Sequence, residues 1–294
     1  MKDLKDKIIA ITGGATGIGF ALAKAFGSEG AKIVIGETRE EKLQEAIDRF
    51  KNLNIDADKT HLDVTDLKSV EKFADFTCER YGRVDMLINN AGISGARGRI
   101  DKVDIKEAKK LVESNLVASG LDCLVNNAGI NISGPMEYVD SDEVRKVFEV
   151  NVMGPLNCAQ SFLPILKKSS SATIINISSM AGKIGLPMQG SYCGSKFALE
   201  GISESMRREL QIYNIKVVVV GPGAIESSIW DKFEKDEKEE LYKNTEYASA
   251  INQIDDTLKM ARSIAIPAKS VAVKIEKILL STNPKYRYVV AGIT

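Results

Sequence analysis

"KIIAITGGATGIGFALAKAFGSEG", Lys7 to Gly30, decides the fold. Its opening is short, β-branched and bounded by glycine, the marks of a buried strand. The stretch after the glycines reads as a helix, with Gly30 where a helix C-terminus wants a residue free to turn left-handed. The same pairing recurs along the chain. "KIVIGE" precedes the helical "REEKLQEAIDRFKN", "KTHLDVTD" precedes "LKSVEKFADFTCERYG", and "VDMLINNAG" is the next strand. Later, "SDEVRKVFEVNVMGPLNCAQSFLPILKK" reads as one long helix opened by Ser141 or Asp142 as cap. "ATIINISS" and "IKVVVVGPG" are strands enclosing the helical "SKFALEGISESMRREL". "KSVAVKIEKILL" and "YRYVVAG" are the last helix and strand. Strands alternating with helices predict a doubly wound α/β fold, a parallel sheet between two helical layers. No Pro/Ser-rich linker interrupts residues 1–294, which read as one domain.

Composition narrows the function. Forty basic residues balance forty acidic ones, so no overall field draws the chain to nucleic acid or to a membrane surface. No stretch approaches the roughly 20 apolar residues of a membrane span. The longest, "IKVVVVGPGAI", is interrupted by Gly221, Pro222 and Gly223, and the N-terminus does not read as a signal peptide. Cys78, Cys123, Cys158 and Cys193 are scattered with no CxxC pair, as expected of free thiols in a reducing cytoplasm. His61 is the only histidine, which leaves no Ser-His-Asp triad and no His-rich metal site. Acid–base chemistry therefore falls to Tyr, Lys, Asp, Glu or Cys, and no metal is expected.

"TGGATGIG", Thr12 to Gly19, lies between the first strand and the first helix. Gly13, Gly17 and Gly19, with Thr16 and Ile18 among them, let the backbone turn tightly and approach a pyrophosphate at the positive helix end. In that position the turn is a good match to a Rossmann-like dinucleotide site. Glu37, at the end of strand two, stands where a carboxylate holds the adenine ribose diol and repels a 2′-phosphate, which favours NAD over NADP. Arg39, two residues on, is the counter-argument, because it can pair with that phosphate. Asp63 and Val64, in "LDV", close strand three and can line the adenine pocket.

"SYCGSK" sets Tyr192 and Lys196 four residues apart on one helical face. An ammonium near a phenol favours phenolate, so such a tyrosine can exchange a proton with an alcohol or ketone near neutral pH. Ser179, in "NISSMAG", lies 13 residues earlier at a strand end, and Asn151, in "EVNVMG", lies 28 before Ser179. TGGATGIG, LDV, NNAG, NVMG, NISS, YCGSK and VVGPG, in that order, make the chain resemble the short-chain dehydrogenase/reductase family. The resemblance implies an NAD(P)-dependent oxidoreductase passing hydride between cofactor and a secondary alcohol or ketone. It implies Tyr192 as general acid/base, Lys196 as the residue that lowers its pKa and binds the nicotinamide ribose, Ser179 as the group that orients the substrate oxygen, and Asn151 as holder of a relay water. Pro222, Gly223, Ile225 and Ser227 align with positions contacting the carboxamide, serine standing where threonine is frequent. Homodimers or homotetramers, joined through the helices holding Asn151 and Tyr192, are also implied.

One feature departs from the family. "DMLINNAGI" at Asp85–Ile93 returns as "DCLVNNAGI" at Asp122–Ile130, 37 positions on. In a family sheet ordered 3-2-1-4-5-6-7, NNAG ends the fourth strand and lies along the nicotinamide side, with one slot for it. Asn89, Ala91 and Gly92 compete for that slot with Asn126. Aligning His61–Ile93 with Arg99–Ile130 gives 12 identities over 32 paired positions, read as a duplicated strand–helix–strand cassette. The first copy follows the better third strand, so the expectation places it in the sheet and makes 94–130 an insertion appended at the sheet's C-terminal edge. An insertion covering the cleft would favour the alternative reading, a cofactor-binding sensor or scaffold with impaired catalysis. The lid, with Ile229, Trp230, Phe233, Leu241, Tyr242 and Tyr247, suits either an apolar substrate or plain core packing. "PGAIESSIW" and "KYRYVVAG" look like relatives acting on steroids or retinoids.

Overall fold

The computed structural model describes residues 3–64, 66–91, 120–226, 242, 245–248 and 259–292. Its sheet has eight parallel strands in the order β3-β2-β1-β4-β5-β6-β7-β8. In chain order these are β1 (Ile8–Thr12), β2 (Lys32–Glu37), β3 (Ala57–His61), β4 (Met86–Asn89), β5 (Cys123–Asn126), β6 (Thr173–Ile177), β7 (Lys216–Pro222) and β8 (Arg287–Val290). The helices are α1 (Gly17–Ser28), α2 (Glu40–Asn52), α3 (Leu67–Tyr81), α4 (Ser141–Phe148), α5 (Gly154–Leu166), α6 (Gly190–Glu209) and α7 (Ala268–Leu280). The doubly wound α/β architecture expected from the sequence is the one observed.

Alternation within each strand divides the core. Ile9, Ile11, Ile33, Ile35, Met86 and Ile88 point to one face, where Phe20, Leu22 and Phe26 of α1 and Ile275 of α7 meet them. Ala10, Val34 and Leu124 point to the other, against Phe73 of α3 and Ile165 of α5. Strands apolar on both sides are what a sheet covered by two helical layers requires. Helix ends follow local chemistry. Glu40 and Glu41 open α2 while Arg49 and Lys51 close it, in the sense that suits the helix dipole. Asp66 caps α3 by accepting from the Lys68 amide, and Gly82 ends it at φ 72°.

Three local expectations are corrected. The helix expected to begin at a Ser141 or Asp142 cap is capped one residue earlier, where extended Asp140 accepts from the Asp142 amide at 2.7 Å. It is also not continuous, because a π-helical turn at Glu149–Met153 separates α4 from α5 and carries Asn151. "LDV" lies just past β3 rather than closing it, since the strand ends at His61.

The second NNAG copy is not appended at an edge: it is β5, an interior strand. Met86 pairs with Cys123, Leu87 with Leu124, Ile88 with Val125 and Asn89 with Asn126, so identical motif positions sit side by side. On its other side β5 pairs with β6, Asn126 facing Asn176. The physical reason is that "CLVN" is buried at all four positions and meets both faces as "MLIN" does, Cys123 and Val125 with one core and Leu124 with the other. A strand apolar on both sides is stable only inside a sheet. Lys7 bridges the two copies, its Nζ 3.1 Å from Asp85 and 2.8 Å from the equivalent Asp122.

Interior placement has a measurable cost on truncation. Leu124 is fully buried, so Leu124→Ala should lower denaturant stability by about 3 kcal/mol. A surface excursion would register no more than about 0.5 kcal/mol.

Candidate active site

Most of the expected site residues among those described lie at or just past the C-terminal ends of strands, while Asn151 lies on the π turn and Tyr192 and Lys196 on α6. At β1, Gly13 and Gly17 adopt φ of 63° and 59°, which only glycine takes without strain. A side chain at Gly13 would come within 2.9 Å of the Ala91 backbone, whereas Gly17 faces open space. Thr16 is the extended N-cap of α1 and makes no side-chain cap bond, so the amides of the first turn point outward from a positive helix end. Ile18 is partly buried and Gly19 buried behind them. At β2, Glu37 binds Arg39 through both oxygens, at 3.3 Å to Nε and 2.9 Å to Nη2. Burial pushes the Glu37 carboxyl up, but its hydrogen bonds and charge interaction with Arg39 outweigh that and hold it below the ordinary range. Asp63 and Val64 lie in the loop beyond β3, the Asp63 amide donating to Ser69.

The two NNAG copies have divided what one was expected to do. The first faces the glycine turn: Asn90 Nδ2 donates to the Gly13 carbonyl at 2.7 Å, and the Asn90 and Ala91 amides both donate to Thr12 Oγ1. The second reaches the π turn. The Ile130 amide donates to Asn151 Oδ1 at 2.9 Å, and Asn151 Nδ2 donates back to the Ile130 carbonyl at 2.9 Å. Asn89 donates to Asn126, Asn126 to Asn176, and Asn176 to Ser203, a row of amides crossing three strands into α6. Asn126 is therefore buried within that row. Gly92 and Ser227 lie outside the described residues.

Ser179, Tyr192 and Lys196 come together beside β6. Ser179 caps the short 3₁₀ turn at Met180–Gly182, and its side chain lies close enough to the Tyr192 phenol to lower it. Its neighbour Ser178 is buried with its hydroxyl unpartnered. Lys196 Nζ donates to the Ile177 carbonyl at 3.0 Å and lies 5.6 Å from the Tyr192 ring centre. Asn151, fully buried on the π turn, reaches the same helix through Ser195 at 3.0 Å. A π turn holding a site residue is a frequent use of that geometry. Pro222 ends β7, the Gly223 amide bonds to Val290 of β8, and Ile225 bridges to Ile266.

The electrostatics differ from the simple ammonium–phenol picture. Tyr192 keeps part of its ring accessible, yet protein atoms enclose it closely enough that burial pushes its phenol above the ordinary value, against the lowering effect of Ser179. Burial also drives Lys196 down to about 8. A lysine whose charge is itself disfavoured, and whose ammonium is spent on a carbonyl, does not pull the phenol down in this state.

Several supporting residues were not singled out from the sequence. Asn90 lay in plain view inside NNAG. Ser195 lay within YCGSK, three residues from Tyr192, and its hydroxyl donates to the Tyr192 carbonyl at 2.7 Å. Nothing in the sequence marks Arg287 and Glu200, which pair at 2.9 Å while Arg287 also approaches the Ser179 carbonyl. The glycine turn with Glu37 could hold the pyrophosphate and adenine ribose of a nicotinamide dinucleotide, and Lys196 with Tyr192 could meet its reactive end.

The family model for short chain dehydrogenases matches residues 7–120 and again 118–238. The chain belongs to the short-chain dehydrogenase/reductase family of oxidoreductases. It is 38% identical over 196 residues to the NADPH-dependent 3-dehydrocapnine reductase of Ornithobacterium rhinotracheale, covering 65% of this chain and 67% of that one. It is 31% identical over 222 residues to the 3alpha-hydroxysteroid dehydrogenase of Mediterraneibacter gnavus, covering 75% and 74%. The fold is that of a short chain dehydrogenase/reductase from Burkholderia phymatum in complex with NAD, at TM-score 0.68 and 23% identity, covering 100% of this chain and 91% of that one. A metagenomic short-chain oxidoreductase in complex with NADP aligns at TM-score 0.62 and 22% identity, covering 98% and 97%.

The second family match opens just before β5, and this redraws the repeat. After NNAG, Val103, Asp104, Glu107, Lys110, Glu113 and Asn115 recur at a constant spacing as Val139, Asp140, Glu143, Lys146, Glu149 and Asn151. The similarity between the copies thus runs on past the NNAG strand through the sequence that ends at Asn151.

The buried lysine sets a pH test. With its folded value near 8 against an ordinary 10.5, the unfolded chain binds more protons between those limits, so this group's contribution makes stability rise with pH across that window. Below it, charge burial costs up to roughly 3 kcal/mol. Lys196→Met should therefore be stabilised relative to the parent at pH 7, and urea midpoints should show that advantage shrinking as pH approaches 10.

Proposed function

We propose that the protein is an NAD(P)-dependent oxidoreductase interconverting a hydrophobic secondary alcohol and its ketone, with NAD the preferred cofactor. The observation that carries this reading is the gathering of Ser179, close enough to lower the Tyr192 phenol, with the buried Lys196 5.6 Å from the Tyr192 ring centre, two hydroxyls set where a substrate oxygen can accept from both. A bound nicotinamide supplies the hydride acceptor or donor. Ser179 orients and polarises the substrate oxygen. Tyr192 donates its proton to a ketone, or withdraws one from an alcohol, and a phenol raised by burial suits the donor direction. Lys196 holds the nicotinamide ribose, and Asn151 fixes the backbone at Ile130 beside it. Gly13, Thr16, Gly17, Ile18 and Gly19 hold the pyrophosphate, and Pro222, Gly223, Ile225 and Ser227 border the carboxamide.

A hydrophobic substrate is supported by the names of the steroid dehydrogenase and dehydrocapnine reductase relatives. It is also supported by the aromatic group flanking the segment after the second NNAG. Tyr138 stacks on Tyr242 with ring centres 6.0 Å apart and meets Tyr247 edge-on at 5.9 Å. Assembly into a homodimer or homotetramer would use the helices around Asn151 and Tyr192, where Met153 and Phe197 are exposed apolar residues. A cytoplasmic site of action completes the reading. Among the described residues no helix is long and apolar enough to cross a membrane.

Two measurements bear on it. Tyr192→Phe should lower kcat for reduction of a hydrophobic ketone by at least about 100-fold while the Kd for cofactor stays put; equal rates in both proteins would contradict the role. Glu37→Gln removes the carboxylate and frees Arg39, so the ratio of kcat/KM with NADP to that with NAD should rise about tenfold or more. An unchanged ratio would contradict ribose recognition by Glu37.

A further inference from the structure

We infer that the inserted strand splits one cofactor cleft into two half-sites set too far apart for a single dinucleotide to engage fully. The inference rests on the reading just given. Its basis is the division of contacts between equivalent residues. Asn90, in the first copy, holds the Gly13 carbonyl of the phosphate turn. Its counterpart Asn127 does not reach that turn and instead donates to Asn90 Oδ1 at 2.7 Å. The second copy serves the chemistry: a side chain at Gly129 would lie 3.3 Å from Asn151 Oδ1 and 3.6 Å from Lys196 Nζ. One copy backs the turn that takes pyrophosphate, and the other backs the lysine and asparagine.

The strand count gives the mismatch. From β1, which carries the glycine turn, to β6, which leads into Ser179, the sheet takes three steps through β4 and β5. With one NNAG strand it would take two. Each step is about 4.8 Å, so the half-sites stand roughly 14 Å apart rather than roughly 10 Å. A dinucleotide's maximum reach is set by its covalent geometry, and one already extended between the two ends cannot stretch by a further full strand spacing. Anchored at Gly13–Gly19, its nicotinamide end meets Lys196 and Tyr192 only in a minor population, and the full-length chain turns over slowly. The repeat also specifies the remedy. Asn89 and Asn126 are paired across the ladder, so removing residues 90–126 joins Asn89 directly to Asn127 and leaves one intact "MLINNAGI" strand.

The test is titration calorimetry of the full-length chain with NADH and with ADP-ribose, which lacks the nicotinamide half. NADPH and 2′-phospho-ADP-ribose replace them if the chain selects the phosphorylated cofactor. The full-length chain should bind the two ligands within about fivefold, and Lys196→Met should leave that ratio unchanged. The chain lacking 90–126 should prefer NADH by about tenfold or more, lose that preference on Lys196→Met, and reduce a hydrophobic ketone at least about tenfold faster. A full-length chain that already prefers NADH tenfold, with the preference erased by Lys196→Met, overturns the inference, and it does so even if the shortened chain fails to fold. A folded shortened chain with no gain in NADH preference overturns it as well. If the preference appears on shortening but neither chain reduces any ketone, the half-sites stand and the proposed reaction falls.

Discussion

The ladder between β4 and β5 is the constraint on which the rest of the molecule depends. Two strands of nearly the same sequence lie parallel and in register, Met86 against Cys123 through Asn89 against Asn126. Because side chains alternate with period two, register and burial are one decision. A shift by one residue would turn Leu124 and Val125 to the wrong cores. Lys7 holds the register at the N-terminal ends through Asp85 and Asp122, and the asparagine row holds it at the C-terminal ends. Everything beyond β5, including Ser179, Tyr192 and Lys196, takes its position from where that second strand sits.

The site also shows how burial competes with charge. Placing an amine four residues after a phenol suggests an acidified tyrosine. Burial acts on both groups first, raising Tyr192 and lowering Lys196, and the lysine's hydrogen bond goes to the Ile177 carbonyl. Glu37 shows the opposite balance, since Arg39 is close enough to outweigh the penalty of partial burial.

How much of this is legible in the sequence follows from the range over which each signal acts. The glycine turn reads directly, because the backbone conformation at Gly13 and Gly17 is a local matter. The strand–helix alternation reads equally well, as does the Ser179–Tyr192–Lys196 spacing, since two of those three share one helix. The fate of the duplicated strand does not read, because deciding between two equally apolar segments depends on a sheet that both can enter. One slot suffices for one copy, but "CLVN", apolar toward both faces, has no stable place outside a sheet. The Arg287–Glu200 pair behind Ser179 joins elements distant in sequence, and no local pattern announces either it or the π turn at Asn151.

Both copies are interior strands of one sheet, and a crystal structure of the chain is the sharpest check of that arrangement. Eight parallel strands are expected, with the Asn126 side chain hydrogen-bonded between Asn89 and Asn176. A seven-stranded sheet, with either copy expelled and the other bonded to both β1 and β6, would contradict it.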